Sequence, residues 1–432
     1  MSRARDLLER LVGASGAERA VISLAALALS IVVGGVLVFV SGLAASCQQS
    51  AFYHVAIPLP GSFELLLFEG NVSLFGQAAC YDPINVYEKL FIGAIGGLPW
   101  ESGWSPTNFS MEVFLQRTTL LLFTGLSVAV AFRAGLFNIG TQGQMIFGAL
   151  AAAVVVLTVA GVAPAGLAGT VVLLPLALVA GAVAGGIWGA IPGALKAYAD
   201  ANEVITTIML NFVAVYGSTL IVKEYFQDPA SAGGTQTRMV PANSLVPSLP
   251  FGFQGSRFSL LAFVLALVLA AGIYYLLWGT SFGFDVRTSG LQPEAATYAG
   301  VDAERTIVAS MTLSGALGGI GGALWILLAN GRFLTGGEVP SLGFDGITVS
   351  VLAGNNPLGV VFGSILFGVL KSGGNALNFQ TDVPPELVGV LSGLIILFVA
   401  MPEFFRMVGA RLSFDEDERV GAVATDGGED DG

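Results

Sequence analysis

Nine runs of this chain are apolar over enough length to cross a bilayer, and no other feature constrains the fold as tightly. A hydrocarbon layer about 30 Å thick takes about 20 helical residues at about 1.5 Å each. The runs lie at 21–43, 113–132, 138–160, 167–190, 204–222, 258–279, 306–329, 344–371 and 386–402. Only 11% of the residues are charged and 54% are hydrophobic, against about a quarter charged in a soluble domain, so a soluble fold is excluded. The run 344–371 is interrupted at GNNPLG, Gly354 to Gly359, where Pro357 and two asparagines break the helix into two segments expected to be half-length. The sequence therefore predicts an all-α polytopic membrane protein with about ten transmembrane or half-membrane helices in two related halves.

The stretch RARDLLER before the first run resembles the basic start of a secretory leader. The run itself exceeds the roughly 7 to 15 residues of a leader's apolar core, and many spans follow, so it is read as a retained helix. Lys and Arg favour the cytoplasmic side. With the N-terminus inside, inner segments hold eleven of the eighteen bases, among them Arg133, Lys196, Arg287, Arg305, Arg406 and Arg411. Both termini are expected in the cytoplasm. The chain then divides into a cytoplasmic N-terminus (1–20), a first transmembrane helix (21–43), an extracytoplasmic cap of undetermined fold (44–112), a membrane core (113–409) and an acidic disordered cytoplasmic tail (410–432). The last twenty residues carry eight of the thirty acids and one of the eighteen bases, too polar to bury a core. The cap holds both cysteines, Cys47 and Cys80, which either pair as a disulfide on the oxidising side or stay as two thiols. It also holds two glycosylation-type triplets, at Asn71 and Asn108, and the chain's one histidine, His54.

Two apolar runs contain groups that do not belong in lipid. One is GLFNIGTQGQMIFG, with Asn138, Thr141, Gln142 and Gln144; the other runs from Gly343 to Lys371, with Asp345, Asn355 and Asn356. Irregular backbone at membrane depth is tolerated only against protein or a water-filled cavity. The two segments are thus expected to line a shared central space, in the manner of the paired broken helices of repeat-built transporters. The alternative is that the amides only join helices, worth about 0.6 kcal/mol per pair. Asp345 is placed at a helix N-terminus, where free N–H groups accept a carboxylate. Gly181, Gly185, Gly189 and Gly193, and again Gly315, Gly318, Gly319 and Gly322, form small-residue ridges of the kind that lets helix backbones approach.

The inner loop 280–305 is more than a connector. Pro293 can open a short helix, Glu294 suits its first turn, Ala295, Ala296, Tyr298 and Ala299 form a small apolar docking face, and Gly300 ends it. The chain shows no phosphate loop of the G-x-x-x-x-G-K type, no Cys/His metal cluster and no series of intramembrane acids and bases for a proton relay.

The segments AFRAGLFNIGTQGQMIFGALAAA, GLQPEAATYAGVDAERTIVASMTLSGALGGIGGA and GFDGITVSVLAGNNPLGVVFGSILFGVL together resemble the permease subunits of ATP-binding-cassette importers for nucleosides and simple sugars, relatives of the branched-chain amino-acid and ribose permeases. The resemblance runs from about Met111 to about Met407 and leaves out the cap and the tail. It implies a transport subunit of the cell membrane and not an enzyme, with no cofactor of its own. ATP and magnesium would sit on a separate ABC ATPase subunit, beside a second permease, commonly a different homologous chain, and an extracytoplasmic solute-binding lipoprotein. Nucleic acid is not expected as a partner. Asn138, Thr141, Gln142 and Gln144 would line the translocation path, Asp345, Asn355 and Asn356 would form the matching element of the second half, and Gln292 to Gly300 would be the helix that couples to the ATPase. The solute would be neutral and polar, a nucleoside or simple sugar. The competing readings are a branched-chain amino-acid permease of the same class, an ion-coupled secondary transporter, and a membrane enzyme acting on lipid-linked sugars, for which no cluster of acids is present.

Overall fold

The structure, a computed structural model, describes residues 16–45, 52–59, 63–71, 73–74, 77–101, 103–164, 166–231, 234–245 and 258–398. Cys47, Arg406, Arg411, Arg419 and the acidic tail lie outside them. The chain divides into two compact units, Leu90–Ala376 and a second formed by Met1–Lys89 with Leu377–Gly432.

The apolar runs appear as helices close to their expected bounds. In chain order these are α1 (Gly16–Ala44), the short α2 (Pro83–Phe91), α3 (Phe109–Arg133), α4 (Thr141–Val159), α5 (Leu167–Ala199), α6 (Glu203–Ile221), α7 (Leu260–Gly279), α8 (Ser281–Leu291), α9 (Pro293–Tyr298), α10 (Ala303–Trp325), α11 (Leu342–Leu352), α12 (Pro357–Gln380) and α13 (Pro385–Phe398). π-helical turns extend α6 to Phe226 and α10 to Asn330. Seven helices among the described residues are long and apolar enough to cross a membrane, which makes this a multi-pass membrane protein. The 33 residues of α5 span about 50 Å, more than the hydrocarbon layer, and so carry Lys196 out to pair with Asp200 at 3.1 Å.

Two features depart from the sequence reading. The break near GNNPLG lies at residues 353–356, with Gly354 and Asn355 in the left-handed region, but only α11 is short. The 24 residues of α12 are enough to span, because its Gly and Ser positions sit within an otherwise apolar helix and Pro357 stands at its start, where it costs no hydrogen bond. The cap, for which no fold was predicted, contains an antiparallel pair, β1 (Phe52–Leu59) with β2 (Phe63–Asn71), and the two-residue β3 (Ser73–Leu74) and β4 (Gln77–Ala78). His54 lies in β1, and Cys80 is in a disulfide. Asn108 is not a free acceptor for a glycan. Its side chain caps α3 by accepting from Met111 N–H at 2.8 Å and donates to Ser105 O and Ile95 O at 2.7 and 2.9 Å.

Within the unit Leu90–Ala376, α3 and α10 are central and α5, α6 and α7 peripheral. The most apolar 18-residue windows are 72% buried in the first two and 22–28% in the other three. The exposed stripe of α5, through Val179, Val183, Ile187, Ile191 and Leu195, is apolar, as a surface meeting lipid must be. The core is held by backbone contact. A Cβ built on Gly185 would strike Gly315 O and come within 2.7 Å of Gly319 Cα, and one on Gly181 would lie 2.8 Å from Gly319 O. On its other side α10 meets α4, where a Cβ on Gly322 would strike Met145 O. Helices α4, α5 and α10 thus pack as one block, gaining dispersion that side chains would prevent.

Candidate functional site

Helix α4 starts inside the bundle and not at its end. After α3 stops at Arg133, residues 134–140 run back as irregular chain, and Thr141 Oγ1 comes 3.3 Å from Ser127 Oγ, six residues before the end of α3. That places the α4 N-terminus roughly 9 Å into the bundle. Irregular backbone at this depth must find protein partners. Leu136 N–H donates to Ala131 O, Gly140 N–H to Asn138 Oδ1, and Gly143 N–H to Asn211 Oδ1 at 2.8 Å, while Asn211 Nδ2 donates to Ile139 O at 3.0 Å. Asn211, on α6, went unnoticed in the sequence. A lone Asn within an apolar run at a distance of 68 residues offers no local sign that it caps another helix.

The four polar residues of this segment are 0–6% exposed. Asn138 Nδ2 donates to Ser314 Oγ at 2.8 Å and to Gln144 Oε1 at 3.1 Å, and Ser314 in turn donates to Ser127 O. Asn138, Thr141 and Gln144 thereby join α3, α4 and α10. Gln142 turns the other way: it donates to Pro340 O at 3.1 Å and Val339 O at 3.3 Å, and accepts from Gly343 N–H at 3.0 Å. It supplies one of the partners that the first turn of α11 lacks. The expectation was that all four line the translocation path, with the joining of helices as the alternative. In this conformation protein closes over them, and the N-termini of α4 and α11 meet at Gln142.

Asp345 stands in the first turn of α11, as expected, but its partner is a base: Lys371 Nζ on α12 lies 2.9 Å from Asp345 Oδ2. Arg117 on α3 is within electrostatic reach of the same carboxylate. A second acid, Glu112, is buried in the first turn of α3. These groups escape a hydropathy reading because each is one charge in a long apolar run. Asn355 and Asn356 are not beside Gln142 but at the far end of α11, about 15 Å away. Asn355 Oδ1 accepts from Ser350 Oγ at 3.0 Å and Asn356 Oδ1 from Leu358 N–H at 3.1 Å, so both shape the turn.

That turn is gripped from α3. Arg133 Nε donates to Asn355 O at 2.8 Å and its Nη2 to Gly354 O at 2.9 Å, while the guanidinium lies over Trp278 at 4.9 Å. Arg287 of α8 stacks on the same indole at 5.5 Å. One end of the bundle therefore gathers the end of α3, the α11–α12 turn and α8. Arg133→Lys is expected to lower stability by about 1–3 kcal/mol, because an ammonium cannot span both carbonyls as the planar fork does. Thermal unfolding of the purified variant checks this, and an unchanged midpoint would show that the fork holds nothing.

At the same end α9 projects as six residues between Gln292 and Ala299. Pro293 opens it and Glu294 lies in its first turn, and Gly300, with φ of 87°, ends it as Val301 N–H donates to Ala296 O. The docking face differs from the expected one. Ala296 is 3% exposed and packs inward, whereas Tyr298 is 95% and Leu291 87% exposed. The outward face is Leu291, Ala295, Tyr298 and Ala299. The preceding helix α8, in a stretch expected as loop, packs on α7 and α10, and α9 packs on α8 and α10.

Comparison with known proteins bears on what this arrangement does. The family described as branched-chain amino acid transport system, permease component, matches residues 110–400. The guanosine ABC transporter permease NupP of Bacillus subtilis is 36% identical, over 83% of this chain and 97% of the relative. The nucleoside ABC transporter permease NupB of Lactococcus lactis subsp. cremoris is 34% identical, over 74% and 84%. The glucose ABC transporter permease TsgB13 of Haloferax volcanii is 31% identical, over 80% and 87%. No solved structure matches the chain significantly.

Proposed function

This chain belongs to the family of branched-chain amino acid transport system permease components, and from that membership we propose that it forms the passage of an ATP-binding-cassette importer for a neutral polar solute, a nucleoside or a simple sugar. The observation that carries this reading is the match to the guanosine permease over 97% of that relative's length. Relatives named for nucleosides and for glucose bracket the substrate class. The motor is a separate ABC ATPase with its own ATP and magnesium, and a second homologous permease and an extracytoplasmic binding lipoprotein complete the importer.

The end that carries α9 also carries Arg133, Arg287 and Arg305, which supports a cytoplasmic position for it; a cytoplasmic position for both termini rests on the sequence alone. Leu291 and Tyr298 would enter a groove of the ATPase. Closure of the ATPase pair on ATP would then displace α9 and α8, and the block of α4, α5 and α10 would move as a rigid body. The joint between α4 and α11 at Gln142 is the closed gate of the passage in this conformation, with Asn138, Thr141 and Gln144 behind it, Asp345 beside it, and Asn355 and Asn356 at the turn through which Arg133 transmits the movement. The permease does no covalent chemistry.

Tyr298→Asp is expected to reduce uptake at least tenfold while leaving the permease inserted and folded, since a carboxylate would be buried unpaired in the ATPase groove. Uptake at the unmodified rate would contradict the docking role. The solute itself is found by reconstituting the permeases with the ATPase and binding protein and measuring ATP hydrolysis with nucleosides, sugars and leucine. Stimulation by a nucleoside or sugar supports the reading, and stimulation by leucine alone moves the chain to the amino-acid branch.

A further inference from the structure

Lys371 is out of place for a span. It lies on the stripe of α12 that also carries Val360, Ser364 and Phe367, at helical spacing, and those three side chains are fully buried against the bundle. Lys371 therefore points into the bundle and not to lipid, yet its side chain is 42% exposed and that of Asp345 22%. Because that stripe packs on α3 and α11, the exposed part of Lys371 marks a gap in the packing of α3, α11 and α12 at this level. Two polar atoms on the same helices lack a partner: Arg117 Nε on α3, within electrostatic reach of Asp345, and Ser364 Oγ, two turns before Lys371 on α12, are shut off from solvent and make no hydrogen bond. Charged and polar groups at such depth are costly unless water or a ligand meets them.

Resting on the permease reading above, we propose that Lys371, Asp345 and Arg117 line a solute-contacting recess of the passage. It takes a neutral solute that offers a hydrogen-bond donor beside an acceptor. The carboxylate only accepts, and the ammonium and guanidinium only donate, so together they read such a pair and leave a purely apolar solute unheld. The amide edge of a nucleobase has this pattern, and so do the adjacent hydroxyls of a sugar. Entry of the solute exchanges the single Lys371–Asp345 contact for contacts to each partner.

The test uses the complete importer in liposomes with Lys371→Cys, the unmodified complex serving as background for the two native cysteines. Aminoethyl methanethiosulfonate, a cationic thiol reagent, should label the new thiol and rebuild a lysine-like ammonium. Uptake should fall about tenfold or more in the variant, return to within about twofold after labelling, and stay low after a neutral methyl reagent. Guanosine, uridine, glucose and leucine are each tested for slowing the labelling, and slowing by a nucleoside or by the sugar says which source supplies the pattern. Should the single variant not assemble, K371C/D345N leaves no carboxylate without a counter-charge and is labelled in the same way. An unlabelled thiol, unchanged uptake, or labelling slowed by none of the neutral solutes overturns the proposal while the importer still works. Failure of the unmodified complex to import any of these solutes removes the permease reading, and this one with it.

Discussion

Gly319→Val is expected to abolish the folded permease. A Cβ at this position would strike Gly181 O and lie 2.9 Å from Gly185 Cα, so the obstacle is the backbone of α5 and not a side chain that can turn aside. Overfilling a core that can yield costs about 1–3 kcal/mol. Here α5 and α10 would have to part along the whole ridge, losing the contacts at Gly315 and Gly185 as well, so the cost exceeds that range. The measurement is the yield of monodisperse protein after detergent extraction. Gly272→Ala is the control, since a Cβ there meets nothing within 4 Å and should leave the yield unchanged. A normal yield of the Gly319 variant would mean that the ridge is not what holds the block together.

The second large effect belongs to Gln142. Gln142→Leu strands the buried Gly343 N–H and the carbonyls of Val339 and Pro340, and each stranded group costs roughly 1–3 kcal/mol. The start of α11 should loosen, and uptake should fall with it. Gln142→Glu keeps an acceptor for Gly343 N–H but sets a buried carboxylate against the carbonyls of Val339 and Pro340, so at neutral pH it should lose at least as much as the leucine variant. Thermal unfolding and uptake, measured on the same preparations, should rank the three proteins in one order. A leucine variant as stable as the native protein would remove Gln142 from the joint.

What could be read in the sequence is what depends on local pattern. The spans followed from runs of about twenty apolar residues, the break from Gly354, Asn355, Asn356 and Pro357, and the short helix from Pro293 and Gly300. What escaped depends on pairs distant along the chain. Nothing near Asp345 points to Lys371, and nothing near Thr141 points to Asn211 as a cap for α4. The orientation of Ala296 was unreadable because an alanine suits a docking face and a buried one equally, and the helix α8 that decides between them looked like loop. The four polar residues from Asn138 to Gln144 stood out by composition, but composition does not say whether such amides face water or each other. Here Asn138 and Gln144 face each other, Thr141 faces Ser127, and Gln142 faces the start of α11.

The central claim is that the force opening this passage comes from another polypeptide. Uptake of tritiated guanosine and of labelled glucose into vesicles holding the permeases, the ATPase and the binding protein tests it most directly. Import of at least one of them that requires ATP and continues with a protonophore present is the expected result. Import that persists without ATP and stops when the protonophore is added would contradict it.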